Sequence, residues 1–467
     1  MIQEIFEQKE ISDIIDLLKK KTVIVPEWDE LKYEYDPSLH DIMTDKVGRK
    51  DKRGKPKVAR ITYGVQKLAT RRMTQMAFTI PAKRTYKHGN DPLKKEQAKA
   101  LEKLYQKVRI DALNKKRFKA YFSACEIATI WYVVKKKNFD YGFESEYKLN
   151  SVTYSPMDEK FSKMEQANLY PLFDEYGDMI ALSVEFTHRE NEKDITYFEA
   201  YTAEKKYVWK NEDGEWVQLK ESPIPIKKIP GAYINRPIPI WEDQTNNAKE
   251  IEYTLSRQSD ILRRNSAPVM KVLGKLVEDT DKPEGDTSRE VYQFEDVTGN
   301  IDYVKPPVDH EAVDAFVKTI KDNISEELQL PSLALKDITG AGMTEEARKQ
   351  LLVDAHLKVG EEDGDIIEFL SRECNVLKSF LGLINSKWKD SIGDLEVEHE
   401  IIPFVMNSES ADIENLSKAT GGKQIMSQRL AVQRAGYVSE EEIEEELKRI
   451  QEEEELDRKA DLFQPSL

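Results

Sequence analysis

Five of the chain's 19 prolines fall at Pro223, Pro225, Pro230, Pro237 and Pro239, and this cluster constrains the fold more than any other feature. Proline removes a backbone donor and pushes the residue before it towards extended conformations, so the stretch predicts extended chain and excludes a helix. It also separates two textures. Upstream, between about Ile127 and Leu219, short runs rich in aromatic and β-branched residues (129–134, 151–154, 182–186, 196–201 and 206–209) are divided by turns such as those at Gly177 and Gly214. Downstream, apolar residues recur at helical steps. Helices on both sides of a block of strands predict an α+β fold with a mixed α/β lobe.

Before that lobe, Ile2, Ile5, Phe6, Ile11, Ile14, Ile15 and Leu18 predict one opening amphipathic helix. A basic, glycine-containing stretch from Thr44 to Arg60 reads as a solvated loop, with a DNA or partner contact as the alternative. Helices are expected over 61–78 and 92–108. Past the prolines, Ala248, Ile251, Leu255 and Leu262 set out one stripe of a long helix stopping at Ser266, Ala267 and Pro268. Val313, Phe316, Ile320, Ile324 and Leu328 set out another, closed by Pro331. At about twenty residues each, these two helices would span roughly 30 Å. Between them lies a small insert, 269–307, with candidate strands at 290–296 and 301–304.

A loop with Gly340 and Gly342 leads to Thr344, a candidate cap whose helix opens with Glu345 and Glu346 and continues, with a break near Gly360 to Gly364, through Ile366, Leu370, Leu377 and Leu381. A strand is expected over 396–405. The tail reads as acidic helices, 408–419 and 427–435, then one opened by a capping box of Ser439 and Glu442. In this last helix Glu444 with Lys448 and Glu445 with Arg449 are spaced for ion pairs, and Glu452 to Glu455 form a solvated face.

At 467 residues the chain is long enough for more than one core. Charged residues make up 34% and apolar ones 39%, which suits a subunit with much polar surface. No apolar run is long enough to span a membrane, and the first residues do not resemble a signal peptide. Cys125 and Cys374 sit in apolar patterns and read as buried free thiols, with folding expected in a reducing cytoplasm. A net charge of −16 argues against a protein that grips nucleic acid, though not against one that DNA slides past.

Catalytic signatures are missing. The sequence holds no phosphate loop and no nucleophile elbow, and its six histidines lack ligand spacing. His310 and Glu311 lack the second histidine of a zinc helix. Glu278, Asp279, Asp281, Glu284 and Asp286 read as a solvated loop, with a divalent-cation site as the weaker alternative. The chain is therefore expected to have no catalytic, cofactor-binding or metal residues, and to be no enzyme.

The order of elements, together with local wording, resembles the portal proteins of tailed bacteriophages, in particular the class found in phages of Gram-positive hosts. The stretches that carry the resemblance are 170–177, 199–209, 229–236, 256–273 with Asn265 and Pro268, 324–331, 342–347, and 425–436 with the glutamate-rich helix beyond. This sequence departs from the family at Gly342 to Ala347, where a Ser-Gly-Ala type opening is usual, and before Ile61. The resemblance implies a wing over 1–240, stem helices over 241–268 and 309–330, and a clip over 269–308. A tunnel loop over 331–343, a tunnel helix with wing completion over 344–405 and a crown over 406–467 would follow. It further implies a dodecameric ring at a capsid vertex, assembled in the host cytoplasm, that passes double-stranded DNA during packaging and ejection. The implied partners are the terminase large subunit, major capsid and scaffolding proteins, and a head-completion adaptor, with no membrane. Lys336, Arg348 and Lys349 are the DNA-channel candidates, against the alternative that they are ordinary helix-end charges. Two other readings stand beside this one: a different virion structural protein, such as a minor capsid or tail component, and a nucleic-acid-processing enzyme.

Overall fold

The computed structural model describes residues 2–8, 10–44, 60–162, 164–190, 193–212, 214–265, 269–273, 298, 300–304, 310–329, 352–404, 417–418, 420, 427–435 and 443–461. The chain divides into two units, residues 1–331 with 354–404, and residues 332–353 with 405–467.

The first unit opens with α1 (Ile2–Phe6) and α2 (Ile11–Leu18), so the single helix expected there is two. Glu10 is extended (φ −100°, ψ 135°), which interrupts the helical ladder between them. Then come α3 (Trp28–Tyr35), α4 (Asp41–Thr44), α5 (Val65–Phe78) and β1 (Lys83–Lys87). The next helix, α6 (Pro92–Val108), begins where the sequence predicts, because Asp91 caps it by accepting the Leu93 N–H at 2.9 Å and Pro92 fits its first turn. Arg109, left-handed at φ 53°, joins it to α7 (Ile110–Ala124).

The strand-rich lobe comprises β2 (Glu126–Asp140), β3 (Glu144–Ser155), α8 (Glu159–Ser162), β4 (Glu165–Gln166), β5 (Asn168–Phe173), β6 (Met179–Glu190), β7 (Lys193–Tyr201), β8 (Lys205–Glu212), β9 (Glu215–Pro223) and β10 (Gly231–Asn235). All five runs expected to be extended lie inside these strands. They form a four-stranded sheet, β10-β2-β3-β4, and a five-stranded meander, β5-β6-β7-β8-β9. β10 comes out of the proline cluster and pairs antiparallel with β2. Its Gly231 lies so close to β2 that a Cβ would stand 2.7 Å from the Thr129 carbonyl oxygen, so no other residue fits without backbone movement.

Alternation along the meander feeds two cores. Leu169, Leu182, Val184 and Tyr201 pack on Ala128, Ile130, Tyr154 and Tyr233 of the four-stranded sheet. Phe198, Ala200 and Trp209, on the other face, pack on Ile5, Ile15 and Leu18 of α1 and α2.

After the prolines run α9 (Thr245–Asn265), β11 (Val269–Leu273), β12 (Asn300–Val304) and α10 (His310–Glu327). Both long helices are where the apolar stripes put them. β11 and β12 pair antiparallel, Val269 opposite Val304, so the expected strand at 301–304 finds its partner directly after α9. The other candidate strand, 290–296, lies outside the described residues, as do residues 45–59, the 331–343 loop and the Thr344 cap.

Helix α11 (Val353–Ile384) passes through Gly360 and Gly364 without the expected break. Two glycines cost roughly 2 kcal/mol of helix propensity. Burial of Ile366, Phe369, Leu370, Leu377 and Leu381 along the same helix outweighs that cost. Towards its end the helix shares a core with Leu101 and Leu104 of α6 and with Trp131, Tyr141 and Leu149 of β2, β3 and the turn between them, through Leu377, Phe380 and Leu381. β13 (Glu396–Glu400) pairs antiparallel with β1. It ends five residues before the expected boundary, because the Phe404 N–H turns to the Met76 carbonyl of α5 at 2.8 Å.

In the second unit the described helices are α12 (Gln428–Ala435), whose Ser427 hydroxyl accepts the Leu430 N–H at 3.3 Å, and α13 (Ile443–Asp461). The expected Glu445–Arg449 pair forms at 3.1 Å, while Glu444 reaches Arg429 of α12 at 3.4 Å.

Candidate functional site

The helix pair α9 and α10 with its hairpin is the feature a purely globular α+β lobe would not need, and its attachment is built from polar groups. Trp241, fully buried just ahead of α9, donates its indole N–H to Glu34 at 2.9 Å, and the Thr245 hydroxyl donates to the same carboxylate oxygen at 2.9 Å. One to two turns on, Glu252 accepts the Tyr63 N–H at 2.7 Å and meets His40 Nδ1 at 2.6 Å. One turn further, Ser256 Oγ accepts the Ile61 N–H at 2.9 Å. Gln244 is hydrogen-bonded to Glu327 near the end of α10.

Burial fades with distance from these anchors. Ala248, Ile251, Glu252 and Ser256 are buried in α9, and Val317, Ile324 and Leu328 in or just after α10. The helix portions that flank the hairpin keep large apolar groups in solvent, with Leu262 48% and Phe316 46% exposed, and in the hairpin Leu273 of β11 is 51% exposed.

The long helix α11 is held by a buried ion pair. Arg117 of α7 donates from both terminal guanidinium nitrogens to the two oxygens of Glu373, each at 2.6 Å, and the Trp131 indole N–H donates to Glu373 at 2.9 Å. Nearer its start, Glu362 pairs with Arg236 at 3.0 Å and His356 approaches the Phe404 carbonyl at 3.1 Å. Helix α11 is thus fixed within the first unit at three levels.

Both cysteines are buried and free. Burial pushes the Cys125 thiol up to about 12, which keeps it protonated and unreactive at neutral pH. Among the described residues no three His, Cys, Asp or Glu side chains converge where a metal ion could sit, and no described helix is long and apolar enough to cross a membrane.

The family model described as "Phage portal protein, SPP1 Gp6-like" matches residues 16–460. The chain belongs to this portal family. Its place is therefore a phage virion, as a portal subunit at the capsid vertex, and the family is structural. A solved structure described as "Neck of empty GTA particle computed with C6 symmetry" aligns over 79% of this portal chain and 89% of its own, at 10% identity and a TM-score of 0.42. No curated protein matches the chain.

Of the residues singled out from sequence, Lys336, Arg348 and Lys349 lie outside the described residues. The anchors of the portal's helix pair and long helix, Glu34, His40, Glu252, Arg117 and Glu373, had not been singled out. Arg117 carried little signal: it follows Lys115 and Lys116 and precedes Phe118 and Lys119, so it reads as one more charge of a basic run, although in the fold it is fully buried and needs a buried partner.

Proposed function

We propose that this portal protein forms a closed, dodecameric homo-oligomeric ring through which double-stranded DNA is packaged and later ejected. Family membership over residues 16–460 carries the reading. A pair of long helices that flank a small antiparallel hairpin and end in exposed apolar groups supports it, because such a surface is left for neighbours in an assembly. In this reading residues 1–240 form the wing, 241–268 and 309–330 the stem, 269–308 the clip, 331–343 the tunnel loop, 344–405 the tunnel helix and wing completion, and 406–467 the crown. The clip docks the terminase and then the head-completion adaptor. Capsid and scaffolding proteins meet the ring during assembly in the host cytoplasm.

Lys336, Arg348 and Lys349 are assigned to the bore. DNA carries one negative charge per roughly 1.7 Å of axis, so a densely basic bore would hold it, whereas a few cations in a chain of net charge −16 guide it through weak contacts. Light scattering with negative-stain imaging of the purified protein tests the assembly: rings with a hole wide enough for duplex DNA are expected. A stable monomer that hydrolyses nucleotide would overturn it. The same rings carrying Lys336→Ala, Arg348→Ala and Lys349→Ala should package less DNA, and unchanged packaging removes these residues from the bore.

A further inference from the structure

His40 sits in the turn that leads into α4, 6% exposed, between two oxygens. Its Nδ1 lies 2.6 Å from a Glu252 carboxylate oxygen on α9, and its Nε2 lies 2.7 Å from the Glu34 carbonyl of α3. A neutral imidazole carries a single N–H, so either tautomer would set a ring lone pair against an oxygen lone pair at one of these contacts. Both distances are those of made hydrogen bonds. Two acceptors therefore require two ring protons. The same Glu252 oxygen also accepts the Tyr63 N–H at 2.7 Å, so it already serves as an acceptor where it faces the ring, and the second proton is placed on His40.

The surroundings agree. Burial alone lowers the affinity of His40 for a proton, but the hydrogen bond to Glu252, its charge, the Glu34 carbonyl and the charge of Asp36 together raise it above the ordinary histidine value. Other charges around the turn are largely matched: Asp36 pairs with Lys67 of α5 at 3.1 Å, and Asp41 of α4 pairs with Lys249 of α9 at 2.9 Å. From α3, Glu30 and Tyr33 border the adjoining cavity, and the Glu34 carboxylate there is taken up by Trp241 and Thr245. That cavity, about 200 Å³ between α3, α4, α5 and α9, has room for several waters at about 30 Å³ each, which gives protons a path to the ring.

We propose that His40 is a proton-dependent latch between the turn before α4 and the helix α9, closed when both ring nitrogens carry hydrogen and released when one is lost. Because the folded protein holds this proton more tightly than an unfolded chain, the latch contributes its full stability below about pH 6.5 and loses it as pH rises through the raised folded value.

Two measurements on the full-length protein as purified test this. Histidine C2-hydrogen exchange, followed by mass spectrometry of the peptide containing His40 in the unaltered protein, should show a midpoint above about pH 6.5; a midpoint below it overturns the latch. In thermal melts the gap in Tm between the natural protein and His40→Gln should shrink as pH rises from about 6 to about 9, and a constant gap overturns it equally.

Discussion

Glu373 shows how a single side chain can hold an element in place. Its carboxylate takes both terminal nitrogens of Arg117 and the indole N–H of Trp131, and Arg117 is fully buried beneath it. Removing the carboxylate leaves a guanidinium with nowhere to go, so Glu373→Ala should lower the stability of this unit by about 3–5 kcal/mol. Removing both charges with volume kept, Arg117→Met with Glu373→Leu, should recover most of that, since apolar replacements of a buried pair are often neutral. Denaturant midpoints read both, and a loss below about 1 kcal/mol for the single variant would sink the assignment. Sequence alone does not set Arg117 apart from Lys115, Lys116 and Lys119 on the same helix. It could not name a partner more than two hundred residues away, because nothing local to Glu373 distinguishes it among 87 acidic residues.

Among the elements, legibility followed the strength of local rules. The central meander strands β6, β7 and β8, with aromatic and β-branched residues between turns, were readable, as were α6, α9 and α10, whereas the outer strand β9, mostly exposed, was not. Helix α7 was not. It is buried on most sides, at Ile110, Asn114, Arg117, Phe118 and 120–124, so it presents no single stripe, and Arg109 lets it follow α6 without a breaker. β1, five residues long, was not readable either and pairs only with β13, whose start at Glu396 the sequence did indicate. Gly360 and Gly364 misled in the opposite direction, since a breaker residue inside a strongly packed helix is tolerated. At both positions an added Cβ meets nothing within 4 Å, so Gly360→Ala and Gly364→Ala should each stabilise by about 0.4–1 kcal/mol. Gly382→Ala, whose Cβ would come 3.1 Å from the Ile392 side chain and 3.4 Å from the Lys389 backbone, should gain less or lose stability. Thermal midpoints of the three variants give the order, and equal shifts would contradict it.

At the scale of the whole molecule, the two thiols offer a measure of how cooperatively the first unit opens. Cys125 lies at the end of α7 and Cys374 in the core of α11, both inaccessible in the folded chain. A thiol reagent at neutral pH should label neither in native protein and both once denaturant has passed a single midpoint; labelling of one well before the other would show that the lobe opens in parts. The sheet formed by β1 and β13 ties the same unit together over a long stretch of chain. Lys83 stands opposite Glu400 and Lys87 opposite Glu396, with Lys83 and Glu400 2.7 Å apart and Lys87 also paired with Glu398. About 300 residues separate the two strands, which at about 5–20 residues per second means roughly 15 to 60 s of translation. During that interval β1 leaves the ribosome as an edge with no partner, and its alternating Lys83, Thr85 and Lys87 make it a poor template for any strand but an acidic one. The glutamates of β13 are the last charges needed to complete this unit, so its first strand waits on its last before the sheet can close.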